Sequence, residues 1–363
     1  MREEYKAAEQ NFADLIATDL LDEQISERPQ TAWVFERGLK NAFAAIGDGT
    51  GNLFGTTSTC ESAHLFLHRV LYRINRLKLF WFDQLRNYDN ERSVYLAEIQ
   101  ARIESAWQAW ELRLLDVAAL AREDVAEALT RRTARDLISP PSASGLYFRH
   151  NVNETGYRRL LAIASLDGLV EASQLSRTLG GVSNEIHAMM TRVFLEEYGG
   201  GRLHRKHSTF FSAMLRELGM NTEPEAYFDL VPWEVLASIN HSFLLSERKR
   251  FYLRYVGGLL YTEISVPTAF DNYRAAAQRL KLPEAARGYW DLHIKEDKRH
   301  GQWMLHDVAL PLAEKYPESA WEIILGYDQQ KLISDRAGAG IARSVRAVES
   351  EAADQEPAGQ SAA

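Results

Sequence analysis

The 363-residue chain carries 42 basic and 50 acidic residues, a formal net charge of −8 and one cysteine, Cys60. This balance leaves no basic footprint for nucleic acid, and a lone cysteine excludes an internal disulfide and fits a reducing, cytoplasmic setting. No apolar run approaches the roughly 20 residues a membrane-spanning helix needs, and the charged start MREEYKAAEQNFADL lacks the apolar stretch of a signal peptide.

Apolar residues recur at three- and four-residue spacing and strand signals are nearly absent, so the fold class is all-α. Residues 1–45 read as one or two helices broken near Pro29. The glycine-rich GDGTGNLFG, 47–55, follows no strand and lacks the Gly-Lys-Ser/Thr of a phosphate loop, so it reads as a connector. Helices are expected over 58–87, 91–118 and 121–136. Glu61, His64 and His68 lie at helical metal spacing, but their region supplies no further histidine, and a surface or dimer-interface role is expected.

The Pro/Ser-rich ISPPSASG, 138–145, marks the end of an N-terminal helical domain, 1–138. Beyond it the periodicity predicts helices at about 154–179, 182–198, 203–219, 231–246, 249–280, 284–306 and 307–333, with Pro267 and Pro311 kinking or interrupting two of them. A second domain thus spans 145–335. From Gly338 the chain turns Ala/Gly/Ser/Glu-rich, and 338–363 reads as a disordered tail.

The strongest chemical signal is HIKEDKRH, 293–300. His293, Asp297 and His300 fall within about 60° of one another on a helix, so one face offers two imidazoles and a carboxylate. That mixture suits iron, manganese or zinc better than calcium or magnesium, which prefer oxygen alone. A solvated charged face would read the same way.

A second signal is LEEYGGGRLHRKHSTFF, 195–211. Glu197 and His207 would stand about 15 Å apart on an unbroken helix. Gly199, Gly200 and Gly201 break it, so the chain can fold back there, or simply end one helix and start another. Glu263 and Glu171 are carboxylates in apolar surroundings, where an acid is rarely buried without a partner. Three neutral histidines and four carboxylates carry −4, which two divalent ions would neutralise. His187 and His204 read as solvated, and His306 as poorly placed for the site.

These stretches resemble the haem-oxygenase-like di-iron oxidases and oxygenases, over about residues 145–335. The resemblance rests on His293-x3-Asp297-x2-His300, on Glu197-Tyr198-Gly199-Gly200-Gly201 before His207, and on the His-Ser-Thr-Phe-Phe that follows. It implies a haem-oxygenase-like helical bundle without haem, and two Fe ions, ferrous at rest, with O2 as co-substrate. The implied metal ligands are Glu171, Glu197, His207, Glu263, His293, Asp297 and His300, with Glu196 open as a replacement for Glu197. No catalytic residue is implied beyond the ligands; Asp167, one turn before Glu171, is a candidate substrate contact.

A helical, dimerising domain before the di-iron domain resembles N-oxygenating members of the family. The implied activity is oxidation of an amine or amino-heterocycle of a small metabolite, through a peroxo-diferric intermediate. It would use an external electron donor, in a homodimer, with neither nucleic acid nor membrane as partner. Two other readings stand. One is oxidative desaturation, decarboxylation or fragmentation of an aliphatic amino or fatty acid on the same metals. The other is a non-catalytic helical interaction protein; a thiaminase-like cysteine mechanism is disfavoured because Cys60 lies outside the matching region.

Overall fold

In the computed structural model, residues 1–47, 58–79, 89–181 and 184–355 are described, and among them every regular element is helical. The expected connector at 47–55 lies almost wholly outside the described residues. The chain divides into two compact units: residues 1–117 with 236–244, and residues 118–235 with 245–363.

The first unit contains α1 (Glu3–Ile16), α2 (Leu21–Glu27), α3 (Trp33–Gly47), α4 (Ser58–Arg76) and α5 (Val94–Leu112). α4 and α5 are shorter than the periodicity predicts, and α6 (Val117–Leu120) follows as a single turn. Tyr5, Phe12, Phe35 and Phe66 form its aromatic core. Gly38 lets α3 press against α1, because a Cβ there would meet the Ala8 Cβ at 2.4 Å. His64 and His68 are not at the surface: both are 1% exposed, with ring centroids 4.8 Å from Trp110 and Trp107 respectively. Their spacing serves aromatic packing along the α4–α5 contact, while Glu61 is exposed.

The second unit begins earlier than the Pro/Ser-rich break. α7 (Val125–Leu137) belongs to it because Arg132 pairs with Asp328 at 2.9 Å and the Tyr327 hydroxyl donates to Asp136 at 3.0 Å. Then come α8 (Ala143–His150), α9 (Glu154–Gly168), α10 (Ser173–Ser176), α11 (Glu185–Glu197), α12 (His207–Glu217), α13 (Trp233–Ser246), α14 (Tyr252–Arg279), α15 (Gly288–Trp303), α16 (Leu310–Lys315) and α17 (Trp321–Gln355). The middle of α13, residues 236–244, groups with the first unit.

α14 is the axis of the second unit and packs against α8, α15 and α17. Its crossing with α17 is reciprocal. A Cβ on Gly257 would stand 1.9 Å from the Ile323 carbonyl oxygen, and one on Gly326 would stand 1.9 Å from that of Arg254. Only two bare backbones come this close.

Pro267 does not interrupt α14, although it cannot donate to the Glu263 carbonyl four residues back. Pro311 has more effect. It withholds a donor from Asp307, and between α15 and α16 the helix widens into a π turn, Met304–Ala309. The expected tail at 338–363 is also corrected: α17 continues to Gln355, with Ala342 and Val345 buried in the core. Small residues there read as a poor core, but they fit close to neighbouring helices; a Cβ on Gly340 would meet Glu234 at 2.8 Å.

Candidate metal centre

Five segments of the second unit converge: the turn after α9, the end of α11, the start of α12, α14 and α15. α11 ends at Glu197, and after Tyr198 the three residues Gly199, Gly200 and Gly201 have φ of +61°, +61° and +78°. This left-handed run is open to glycine at little cost. It turns the chain back so that His207, the first residue of α12, presents Nδ1 to Glu197 Oε2 at 2.8 Å. Of the two possibilities at the glycines, the fold-back is the one realised.

Glu171 is not on a helix. α9 stops at Gly168, and Glu171 sits in the turn before Ala172, whose φ is +59°. There the Tyr289 hydroxyl donates to Glu171 Oε1 at 2.5 Å, and His293 Nε2 stands 2.9 Å from the same oxygen. His293 Nε2 is also 3.1 Å from His207 Nδ1. Glu171, Glu197, His207 and His293 therefore bring one donor atom each within 4.8 Å of one another.

A second group, Glu197, Glu263 and His300, meets the same limit. His300 Nδ1 lies 3.3 Å from Glu263 Oε2 and 3.5 Å from Glu197 Oε1. Gly301 permits this approach of α15 to α14, since a Cβ there would already be 2.9 Å from Ile264 Cδ1 and 3.4 Å from the Glu263 carbonyl oxygen. Asp297, 3% exposed, borders the group with Oδ1 3.8 Å from His300 Nδ1. Six of the seven expected ligands thus fall into two groups sharing Glu197, and the seventh adjoins the second.

The electrostatics are those of a pocket short of positive charge. Burial raises the Asp297 carboxyl, the Glu263 charge raises it further, and it reaches about 9. Burial also lifts Glu263 above its ordinary value, although His300 partly offsets this. Burial would raise Glu197 too, but the hydrogen bond with His207 and the three nearby imidazoles carry it below. Burial pulls His293 and His300 down, yet Glu171 takes His293 well above an ordinary imidazole, and Glu263 and Glu196 take His300 to about 9. Three buried donor atoms, Glu171 Oε2, Asp297 Oδ1 and His300 Nδ1, have no hydrogen-bond partner. Buried acids with unsatisfied oxygens are costly unless a cation takes those positions. The residues present therefore fit a pair of divalent ions.

Adjacent Glu196 and Glu197 are separated by the helical turn of about 100°. Glu197 faces inward and is 8% exposed, whereas Glu196 reaches the outer nitrogen of His300, Nε2, at 2.8 Å. Sequence reasoning missed Glu196 in this role, and also Glu296 and Arg299. A signal existed for Glu296, which falls about 60° from His293 on the helical wheel, at the rim of the ligand face. Glu196, Glu296 and His300 also place donor atoms within 4.8 Å of one another. His204 is exposed, as expected, and so is His306; His187, expected to be solvated, is instead half-buried, its ring 5.9 Å from that of Tyr252.

Asp167 retains an exposed surface, yet protein surrounds it closely enough that burial, followed by the Glu171 charge, pushes its carboxyl up to about 6.

Residues 158–329 match the family described as "Iron-containing redox enzyme". A 184-residue stretch is 28% identical to the nitrosourea synthase of Streptomyces achromogenes subsp. streptozoticus, covering 50% of this chain and 38% of that protein. The match thus spans less than half of the relative's length.

Proposed function

We propose, from the premise that residues 158–329 belong to the iron-containing redox enzyme family, that this domain holds two iron ions and uses O2 to oxygenate the nitrogen of a small amine or amino-heterocycle. Glu197 carries the two-ion reading. Its Oε2 faces His207 and His293, and its Oε1 faces His300. A carboxylate placed between two donor groups is suited to bridge two ions. Glu171, His207 and His293 would complete one site; Glu263, His300 and Asp297 would complete the other.

Iron held there would supply activation of dioxygen. The chain supplies position and exclusion. Tyr289 orients Glu171 through its hydroxyl. The rings of Phe270 and Tyr289 pack on His293, at 5.3 and 4.3 Å between centroids, and keep water from that side. Asp167, at about 6, is mostly ionised at neutral pH and offers a cationic amine an anchor beside Glu171. Inserting one oxygen atom consumes two external electrons and two protons, and the other oxygen atom leaves as water. A separate electron donor is therefore required.

Nitrogen as the target is supported by that anchor and by the name of the relative, nitrosourea synthase. The test is direct. Protein from iron-supplemented cells is assayed for iron per chain, and the ferrous form for oxygen uptake with amine, amino-acid and fatty-acid substrates. Two irons per chain and an amine product heavier by one oxygen atom are expected. A single iron rejects the paired site, and oxygen uptake driven only by fatty acids rejects the nitrogen target.

A further inference from the structure

Each of the three histidines of the centre turns one nitrogen inward and the other toward an acceptor. His293 Nδ1 meets the Tyr289 carbonyl oxygen at 3.0 Å, one turn back on α15. The other two meet carboxylates from the outside. His300 Nε2 lies 2.8 Å from Glu196 Oε2, and His207 Nε2 lies 3.7 Å from Glu296 Oε2. One cation touches both acids: Arg299 Nη2 is 2.6 Å from Glu196 Oε2 and 4.0 Å from Glu296 Oε2. Arg299 is itself held. Its guanidinium carbon and that of Arg192 stand over the Trp303 ring, 5.1 and 3.9 Å from the centroid, and Arg192 Nε is 3.9 Å from Glu196 Oε1.

We propose that Arg299, Glu196 and Glu296 form an outer brace that sets which nitrogen of His300 and His207 faces the metals. This rests on the two-ion reading above. A neutral imidazole has one N–H, and the nitrogen left bare is the ligand. Glu196 accepts the Nε2–H of His300, which leaves Nδ1 bare and directed at Glu197 and Glu263. Glu296 is too far from His207 Nε2 to accept a hydrogen bond, and its charge alone favours the Nε2–H form, with Nδ1 toward Glu197 and His293. Arg299 offsets part of the combined charge of the two acids, which weakens their own pull on a metal ion while Glu196 stays an acceptor. The brace joins α11 to α15 and backs one histidine of each metal group. It also explains the pair Glu196–Glu197: one acid serves the ions and the next serves a ligand from behind. These are positioning residues, acting through His300 and His207.

The test uses full-length, metal-free protein titrated with Co(II), read by calorimetry and visible absorbance. Exchangeable imidazole N–H signals of the loaded protein are then followed by paramagnetic NMR. The wild type should bind two Co(II) and show slowly exchanging N–H signals. Glu196→Ala should still bind two, one of them about 10- to 100-fold more weakly, as expected for loss of such a partner. The His300 signal should be lost to exchange. Glu196→Gln, which keeps an acceptor oxygen, should recover part of both, and Arg299→Ala should weaken both sites. Helical content and the metal-free melting temperature serve as fold controls; should Glu196→Ala not fold, Glu196→Gln and Arg299→Ala decide. Unchanged affinity and unchanged N–H exchange in these variants would overturn the brace. So would loss of a third Co(II) equivalent, which would make Glu196 a ligand. A wild type that binds fewer than two Co(II) would instead reject the paired site itself.

Discussion

Glu197 and His207 are ten residues apart in the chain, yet their Oε2 and Nδ1 atoms are 2.8 Å apart across the left-handed glycine turn. Two of these glycines should differ sharply on substitution. A Cβ on Gly199 would strike the Arg205 carbonyl carbon at 2.4 Å, whereas one on Gly200 meets open space. Both carry the left-handed penalty of about 1–2 kcal/mol. Gly200→Ala should therefore lower the melting temperature but keep the metal load. Gly199→Ala should in addition displace His207 and lose bound iron. Equal iron contents for the two variants would argue against this division.

Removing the shared carboxylate should be worse than removing a carboxylate of one group. Glu197→Ala is expected to leave less than one iron per chain, because both donor groups lose a member. Glu263→Ala should leave close to one. Elemental analysis of the purified variants checks the order, and a reversed order contradicts a ligand role for Glu197 in both donor groups.

The metal-free protein should lose stability as pH rises. In the folded chain Asp297 and His300 both sit at about 9, above their unfolded values of about 4 and 6.5. A raised folded value gives stability that is full below the unfolded value and lost as pH climbs through the folded one. The metal-free melting temperature should thus fall from about pH 4 upward and most steeply between about 6.5 and 9, where both groups contribute. Metal needs both groups deprotonated, so the stabilisation it adds should grow across the same window, with protons released on binding. Calorimetric titration in two buffers of different ionisation enthalpy measures that release; buffer-independent heats at pH 7 would contradict it.

Asp167→Asn should raise KM for a cationic amine about tenfold while leaving the iron content unchanged, since one charge-assisted contact is worth roughly 1.5 kcal/mol. Steady-state kinetics with the identified substrate, beside iron analysis, checks this. A fall in iron content would place Asp167 among the ligands.

Gly257→Ala sets a Cβ 1.9 Å from the Ile323 carbonyl oxygen. The rigid crossing of α14 and α17 cannot absorb it, and a loss of about 3 kcal/mol is expected in chemical unfolding. Gly258→Ala, whose nearest neighbour is 3.6 Å away, should be close to neutral. Comparable losses at both positions would show that the crossing is not the cause.

The sequence by itself determined what repeats locally. Helical periodicity is set residue by residue, so the all-α class was legible, with α13 and α14 within three residues of their expected bounds. His293, Asp297 and His300 were legible because one helix carries all three, and 3.6 residues per turn fixes their common face. Tertiary structure decided everything that depends on a second segment. Glu171 proved to be in a turn because its partners Tyr289 and His293 lie more than a hundred residues away. Glu196 and Glu197 are alike in type and adjacent in the chain, so only the position of α15 tells the ligand candidate from its support. His64 and His68 looked like a surface pair until Trp107 and Trp110 closed over them. The physical reason is common to all these cases. A helix specifies which of its own side chains share a face, but which neighbour meets that face depends on how close two backbones can come, as at Gly257, Gly301 and Gly326.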